Sequence, residues 1–259
     1  MSPSSATAER AAAHLRYLLR IADTSLILGQ RLSEWVGHAP ALEEDLGLAN
    51  IALDLIGQAR LLLSYAAQLE GRGRSEDALA FLRDASGFFN VALAEQPNGD
   101  FGCTIVRQFL LSAYQLEVYE ALQASSDARL AEIAAKALKE TRYHVRYSAS
   151  WLVRLGDGTA ESHARAQAAL DELWPFTAEL FASDEVDALM HAEGIAPEMA
   201  PLRTRWSQRV DEVLREATLK RPADCVFPWH GRCGVHTEHL GYMLAEMQFL
   251  QRAYPGAEW

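Results

Sequence analysis

The stretch GQRLSEWVGHAPALEEDLGLANIALDLIGQARLLLSYAAQLEG (29–71) decides the fold class. Its first part closes one helix: a helical pattern running from about Ala8 to Val36 is broken by Gly37 and the His-Ala-Pro that follows. Pro40 then opens a second helix, because the N–H that proline lacks would be unpaired in a first turn anyway and its φ is preset. That helix runs on to Gln68 or Leu69 and stops before Gly71-Arg72-Gly73. Two long helices joined by a short connection form the unit from which bundles are built.

Downstream the same pattern continues. Ser75, with Glu76 and Asp77, caps a short helix through Asp84. Phe88 to Ala94 reads as another short turn of helix, closed by Gln96-Pro97-Asn98-Gly99. A third long helix spans Phe101 to Ala124, and Ser125-Ser126-Asp127 starts a fourth that ends at Gly156-Asp157-Gly158. Glu161 to Phe181 (kinked at Pro175), Asp184 to Ala192 and Glu198 to Leu219 follow. The loop 221–234 precedes a last helix, His236 to Tyr254. Four helices longer than twenty residues predict an all-α chain: one domain over 1–259, a four-helix bundle with additional helices packed outside it. A globin-like arrangement would need more, shorter helices crossing at steeper angles.

Composition narrows the function. With 49% apolar residues in 259, the chain can bury a sizeable core. Its net charge of −11 is spread along the sequence, which argues against a nucleic-acid surface and for protein or small-molecule partners. No apolar run reads as long enough to cross a bilayer, and MSPSSATAERAAAH lacks the pattern of a signal peptide. Cys103, Cys225 and Cys233 have neither zinc spacing nor an even count, so they read as thiols of a cytoplasmic protein.

Several helical faces carry polar residues where core is expected. At 100° per residue, Glu140 and His144 fall on a stripe with Ile133, Ala137, Tyr147 and Trp151. Glu117 and Glu120 share a stripe with Val106, Leu110 and Ala113, although a helical plot leaves open which sector meets water. Asn50, Asp54 and Gln58 form a strip on the otherwise apolar second helix.

Ferritin-like di-iron bundles aim such residues inward: one Glu from each of two helices and Glu-x-x-His from each of the other two. None of the eight histidines has an acidic residue three positions before it. Glu140 and His144 are one residue too far apart, and the second helix has no histidine. A hydrogen-bonded core pair is the favoured reading of Glu140 and His144. Buried carboxylates without metal need cationic partners, for which Arg16, Arg20, Arg60 and Arg142 stand in the same helices. Asp54, Glu117, Glu140 and His144 are thus read as vestiges of a ligand face, with no metal and no cofactor expected in this chain.

The segment 29–71 resembles the structural, non-catalytic subunit of the bacterial phenylacetyl-CoA epoxidase. So do EQPNGDF (95–101), KETRYHVRYSASWLVRLGDGT (139–159), LWPFTAELF (173–181) and HTEHLGYMLAEMQFLQR (236–252). The resemblance covers most of the chain in order, apart from the first dozen residues and the loop around 221–232. It implies a ferritin-like fold without a working metal site. It further implies a tight complex with a homologous catalytic subunit, which holds the di-iron centre and epoxidises phenylacetyl-CoA with dioxygen and electrons from an NADPH-dependent reductase. It also implies a contribution to the CoA-substrate region from Gly87, Phe88, Phe89 and Asn90, and from Ala188, Leu189 and Met190. The alternative is a metal-binding ferritin-like oxygenase or oxidase in its own right.

Two further expectations follow from the residues. His236 and His239, flanking Glu238, read as a structural or interface element with His236 or Thr237 as a helix cap. Trp35, Phe88, Phe89, Trp206, Trp229 and Trp259 exceed what one bundle needs, and are expected to supply part of a partner-facing surface.

Overall fold

The computed structural model describes residues 3–225 and 228–257. Its helices are α1 (Pro3–Ser33), α2 (Leu42–Glu70), α3 (Glu76–Phe81), α4 (Phe101–Leu122), α5 (Ala128–Gly156), α6 (Ala160–Leu173), α7 (Glu185–Ala192), α8 (Met199–Glu216), α9 (Glu238–Met247) and α10 (Phe249–Ala253). Among the described residues the only β-pairing is an isolated bridge between His230 and Val235.

The long helices pack as two pairs, α1 along α2 and α4 along α5, and α2 meets α5 across the bundle. α6 and α8 cover the outside of α4 and α5, and α7 lies on α1. This arrangement explains why α4 lacks a polar face: it is buried almost all round from Gly102 to Tyr119, including Arg107, Gln108, Gln115 and Glu117. α5 shows the opposite pattern, burying Leu130, Ile133, Ala137, Thr141, His144, Ser148 and Leu152 at helical spacing while its other face meets water.

Helix ends follow the capping chemistry of the sequence. Ser75 Oγ accepts from the Ala78 N–H (3.2 Å), and the Asp127 carboxylate from the Leu130 N–H (3.0 Å). Gly71, at φ 66°, turns the chain out of α2 in the left-handed region that glycine enters at low cost. At Gly47 the α2 backbone runs so close to α5 that an added Cβ would sit 3.1 Å from the Tyr147 ring.

Three expected elements differ. Residues 88–91 are extended between 3₁₀ turns at Ala85–Gly87 and Ala92–Glu95, because α1 claims their backbone donors. The Phe89 N–H bonds to Asp23 (2.9 Å) and the Val91 N–H to Thr24 Oγ1 (3.2 Å), so neither is left for a helix. Pro175 does not kink a helix: α6 ends at Leu173, and Trp174–Phe181 continues as 3₁₀ turns. The last helix breaks at Gln248, whose buried amide donates to the carbonyls of Ala80 (3.1 Å) and Arg83 (3.0 Å).

The reading that no run reaches membrane length also needs correcting. α2 is long and apolar enough to cross a membrane by length and composition. The bundle covers one side of it and leaves Leu42, Leu46, Leu53 and Ile56 exposed. Among the described residues, most of the aromatic surface expected above does not form. Phe88, Phe89 and Trp206 are core, and Trp35 is half-buried with its indole N–H on Thr104 Oγ1 (2.7 Å). Trp229 remains partly exposed, stacked on Phe176, and Trp259 lies outside the described residues.

Candidate functional site

The four ligand-face residues do not converge. His144, fully buried on α5, places Nε2 3.0 Å from Asp54 Oδ2 on α2. One turn away, Glu140 accepts from Gln58 Nε2 (3.0 Å). Each α5 residue thus bonds across to α2, and the expected Glu140–His144 pair is not formed. Glu117 points the other way, out of the α4–α5 seam toward α8. There its buried carboxylate takes Arg205 Nε at 2.6 Å and an Arg209 N–H at 3.1 Å. Glu120, its neighbour on the helical plot, is exposed.

None of the arginines expected as partners serves these carboxylates. Arg20 binds Asp184 and Asp187, and Arg60 approaches Glu76 at 3.5 Å. Arg142 approaches Glu120 at 3.9 Å, and Arg16 lies over the Phe89 ring. Two arginines four residues apart on one face of the Glu198–Leu219 segment were the sequence signal for the partners of Glu117.

A di-iron ligand set does not fit this arrangement. Glu117 is neutralised by two guanidiniums outside the bundle interior, and the remaining residues make two separate two-residue contacts. Among the described residues, no group of three or more His, Cys, Asp or Glu side chains is placed to hold a metal ion.

The two candidate substrate segments lie on either side of one buried charge cluster. Phe88 and Asn90 are fully buried, Phe89 nearly so, and Gly87 half-buried. Asn90 Nδ2 donates to Glu95 Oε2 (2.8 Å) and the Phe88 ring lies under the Arg83 guanidinium. On α7, Met190 is buried, Leu189 half-buried and Ala188 exposed. Accessible surface is therefore offered mainly by Gly87, Ala188 and Leu189.

Of the residues that bridge these segments, only Arg20 was singled out from sequence, as a cation available to a buried carboxylate. Arg20 of α1 reaches Asp184 (2.9 Å) and Asp187 (3.3 Å) and donates to the Arg232 carbonyl (3.0 Å). Arg232 closes the cluster on Asp187 Oδ1 (2.6 Å), while its backbone N–H binds Glu179 (2.8 Å). Burial alone would raise the Asp184 carboxyl, but the Arg20 guanidinium holds it well below the usual carboxylate range. Gly231 passes so close to the extended segment that a Cβ there would meet the Asn90 carbonyl at 2.4 Å.

The HTEH cluster acts as an anchor. His236 Nδ1 lies 2.8 Å from Glu95 Oε2 and Nε2 lies 2.9 Å from the Phe88 carbonyl. Thr237 gives both its N–H (2.6 Å) and its hydroxyl (2.7 Å) to Glu95 Oε1, and makes no side-chain cap to α9. Both ring nitrogens of His236 face acceptors, which favours the imidazolium. Burial opposes that charge, yet the Glu95 bond and the Phe88 carbonyl carry the pKa above its ordinary value.

A raised histidine pKa contributes stability that is fully present below the unfolded value, about 6.5, and is lost as pH rises through the folded value. Wild-type protein is therefore expected to lose stability relative to His236→Gln on going alkaline from about pH 6.5. Denaturant midpoints measured across that range check this, and parallel curves would refute it.

The family described as Phenylacetic acid catabolic protein matches residues 1–259. The chain belongs to this family. It is 53% identical over 243 residues to the C subunit of the 1,2-phenylacetyl-CoA epoxidase of Escherichia coli (strain K12), covering 94% of this chain and 98% of that one. Among solved structures it resembles Protein 19 with aldehyde deformylating oxidase activity from Synechococcus. The TM-score there is 0.60 at 16% identity, over 82% of this chain and 92% of the other. The fold is thus a ferritin-like bundle, as the resemblance implied.

Proposed function

We propose that this chain is the non-catalytic structural subunit of a cytoplasmic epoxidase complex acting on phenylacetyl-CoA. It docks a homologous di-iron subunit and helps to shape the CoA-substrate region near Gly87–Asn90 and Ala188–Met190. Support comes from the 53% identical relative, whose name places it as a subunit of such an enzyme. The observation that carries the non-catalytic reading is the disposal of the ligand-face carboxylates, with Glu117 neutralised by Arg205 and Arg209, Asp54 paired with His144 and Glu140 bonded to Gln58. In this reading oxygen chemistry belongs to the iron of the partner subunit, fed by a reductase. This chain's own residues supply rigid walls and a docking face.

That face is the outer side of α2. Leu42, Leu46, Ala49, Leu53 and Ile56 follow at steps of four, three, four and three residues, the spacing of a seam that packs on another helix. The leucines and Ile56 are exposed in the single chain, and a contiguous apolar strip of this kind marks an interaction surface.

Purified alone with the reductase, the chain is expected to give no turnover of phenylacetyl-CoA, with activity appearing on addition of the di-iron homologue. Product formation by the chain and reductase alone, with iron in stoichiometric amount, would overturn the reading. His144→Met is expected to leave the iron content of the complex unchanged. It should cost the chain about 1 kcal/mol, the low end for an unpaired buried group, since Asp54 can turn to solvent. Metal analysis and urea unfolding of the variant test both parts.

A further inference from the structure

Where the ferritin-like fold can hold metal ligands, the interior of this bundle carries a row of mostly neutral polar side chains. Gln115 Nε2 donates to Ser25 Oγ (3.2 Å), which lies 3.3 Å from Tyr119 Oη. Tyr119 Oη donates to Gln58 Oε1 (3.2 Å), and Gln58 Nε2 donates to Glu140 (3.0 Å). The row thus draws on α1, α2, α4 and α5, and only its outer end, Glu140, is half-exposed.

At its inner end the row meets a small cavity of about 20 Å³. Ile21, Val91, Val118 and Met199 give the cavity apolar walls, and Tyr17 and Gln115 are among its polar ones, beside Arg20, Thr24 and Arg232. Tyr17 is 1% and Gln115 4% exposed, and Tyr17 Oη and Gln115 Oε1 have no hydrogen-bond partner among the described residues. Exchanging the amide oxygen and nitrogen of Gln115 changes nothing in this respect, because one of the two still faces away from Ser25.

We propose that this cavity is a binding site for one ordered water molecule, held between Tyr17 Oη and the Gln115 amide, and that this water is the inner terminus of the polar row. The size fits: a water needs roughly 10–15 Å³ of such space and at least two polar partners. The chemistry fits as well. Tyr17 donates its O–H to the water oxygen, and the water donates one proton to Gln115 Oε1, so both buried groups are satisfied together. Burial pushes the Tyr17 hydroxyl far above its ordinary range, so it keeps its proton and remains a donor. An empty cavity of this volume is expected only where the walls are wholly apolar.

A high-resolution crystal structure of the full chain tests the site directly. The expected result is an isolated density peak within about 2.7–3.2 Å of both Tyr17 Oη and the Gln115 amide. Absence of a peak, or a direct Tyr17–Gln115 bond closing the cavity, overturns the proposal. In solution, oxygen-17 relaxation dispersion is expected to lose one long-lived water in the Tyr17→Phe, Gln115→Met double variant. An unchanged count in the folded double variant would also overturn it. Should that variant fail to fold, the wild-type density decides alone.

Discussion

Leu53→Glu is expected to abolish assembly with the catalytic homologue while leaving the bundle folded. Leu53 is 66% exposed, so its replacement removes almost no packing from the single chain. It stands inside the α2 strip, flanked by Ala49 and Ile56, and away from either end. Central, fully desolvated positions dominate interface energetics, and losses of about 2–4 kcal/mol are usual there, or roughly 30- to 1,000-fold in affinity. A glutamate adds the cost of burying an uncompensated charge. Copurification with a tagged catalytic subunit, combined with circular dichroism of the variant, separates lost docking from lost folding. Unchanged affinity would place the interface elsewhere. The exposed strip also predicts that the chain without its partner self-associates as concentration rises, and light scattering on wild type and Leu53→Glu would show that difference.

The long helices could be read from sequence because their signals are local. Gly71, Ser75 and Asp127 end or begin helices through bonds to residues three or four positions away. Elements controlled from a distance were misread. Phe88–Ala94 has helical composition, but Asp23 and Thr24, more than sixty residues earlier, take two of its backbone donors. Glu117 shares a stripe with core residues in the sequence, which leaves open whether it is buried; in the structure it is. Its direction could not be read, since α4 is covered on several sides and a helical plot carries no reference to water. The absence of Glu-x-x-His, by contrast, is visible without tertiary information, whereas the separate partners of Glu117, Glu140 and His144 are not. The charge cluster joining α1, α7 and the turn near Arg232 was invisible for the opposite reason. Its four members are scattered over more than two hundred residues, and apart from Arg20 each looks like an ordinary surface charge.

That cluster carries the largest expected effect on stability. Asp187 is 3% exposed and accepts from Arg20 (3.3 Å), from Arg232 (2.6 Å) and from the Asp184 N–H (3.2 Å), the last completing a reciprocal cap on α7. Asp187→Leu removes the carboxylate of Arg232 and leaves Asp184 facing two guanidiniums. Breaking one side of a buried ion pair costs about 3–5 kcal/mol, a large share of the roughly 5–15 kcal/mol by which a domain of this kind is stable. The loss should fall on the whole α1–α7–Arg232 junction and so loosen both candidate substrate segments at once. Combining Asp187→Leu with Arg232→Met restores charge balance, because Arg20 keeps Asp184. Replacing both partners by apolar groups is close to neutral where replacing one is not. The double variant is therefore expected to recover most of the stability lost by Asp187→Leu, in a cycle measured by chemical unfolding. Simple addition of the two single losses would mean that the pair is not coupled. A single loss below about 1 kcal/mol, the level of an exposed ion pair, would mean that the junction is held by its apolar contacts and the charges merely ride on it.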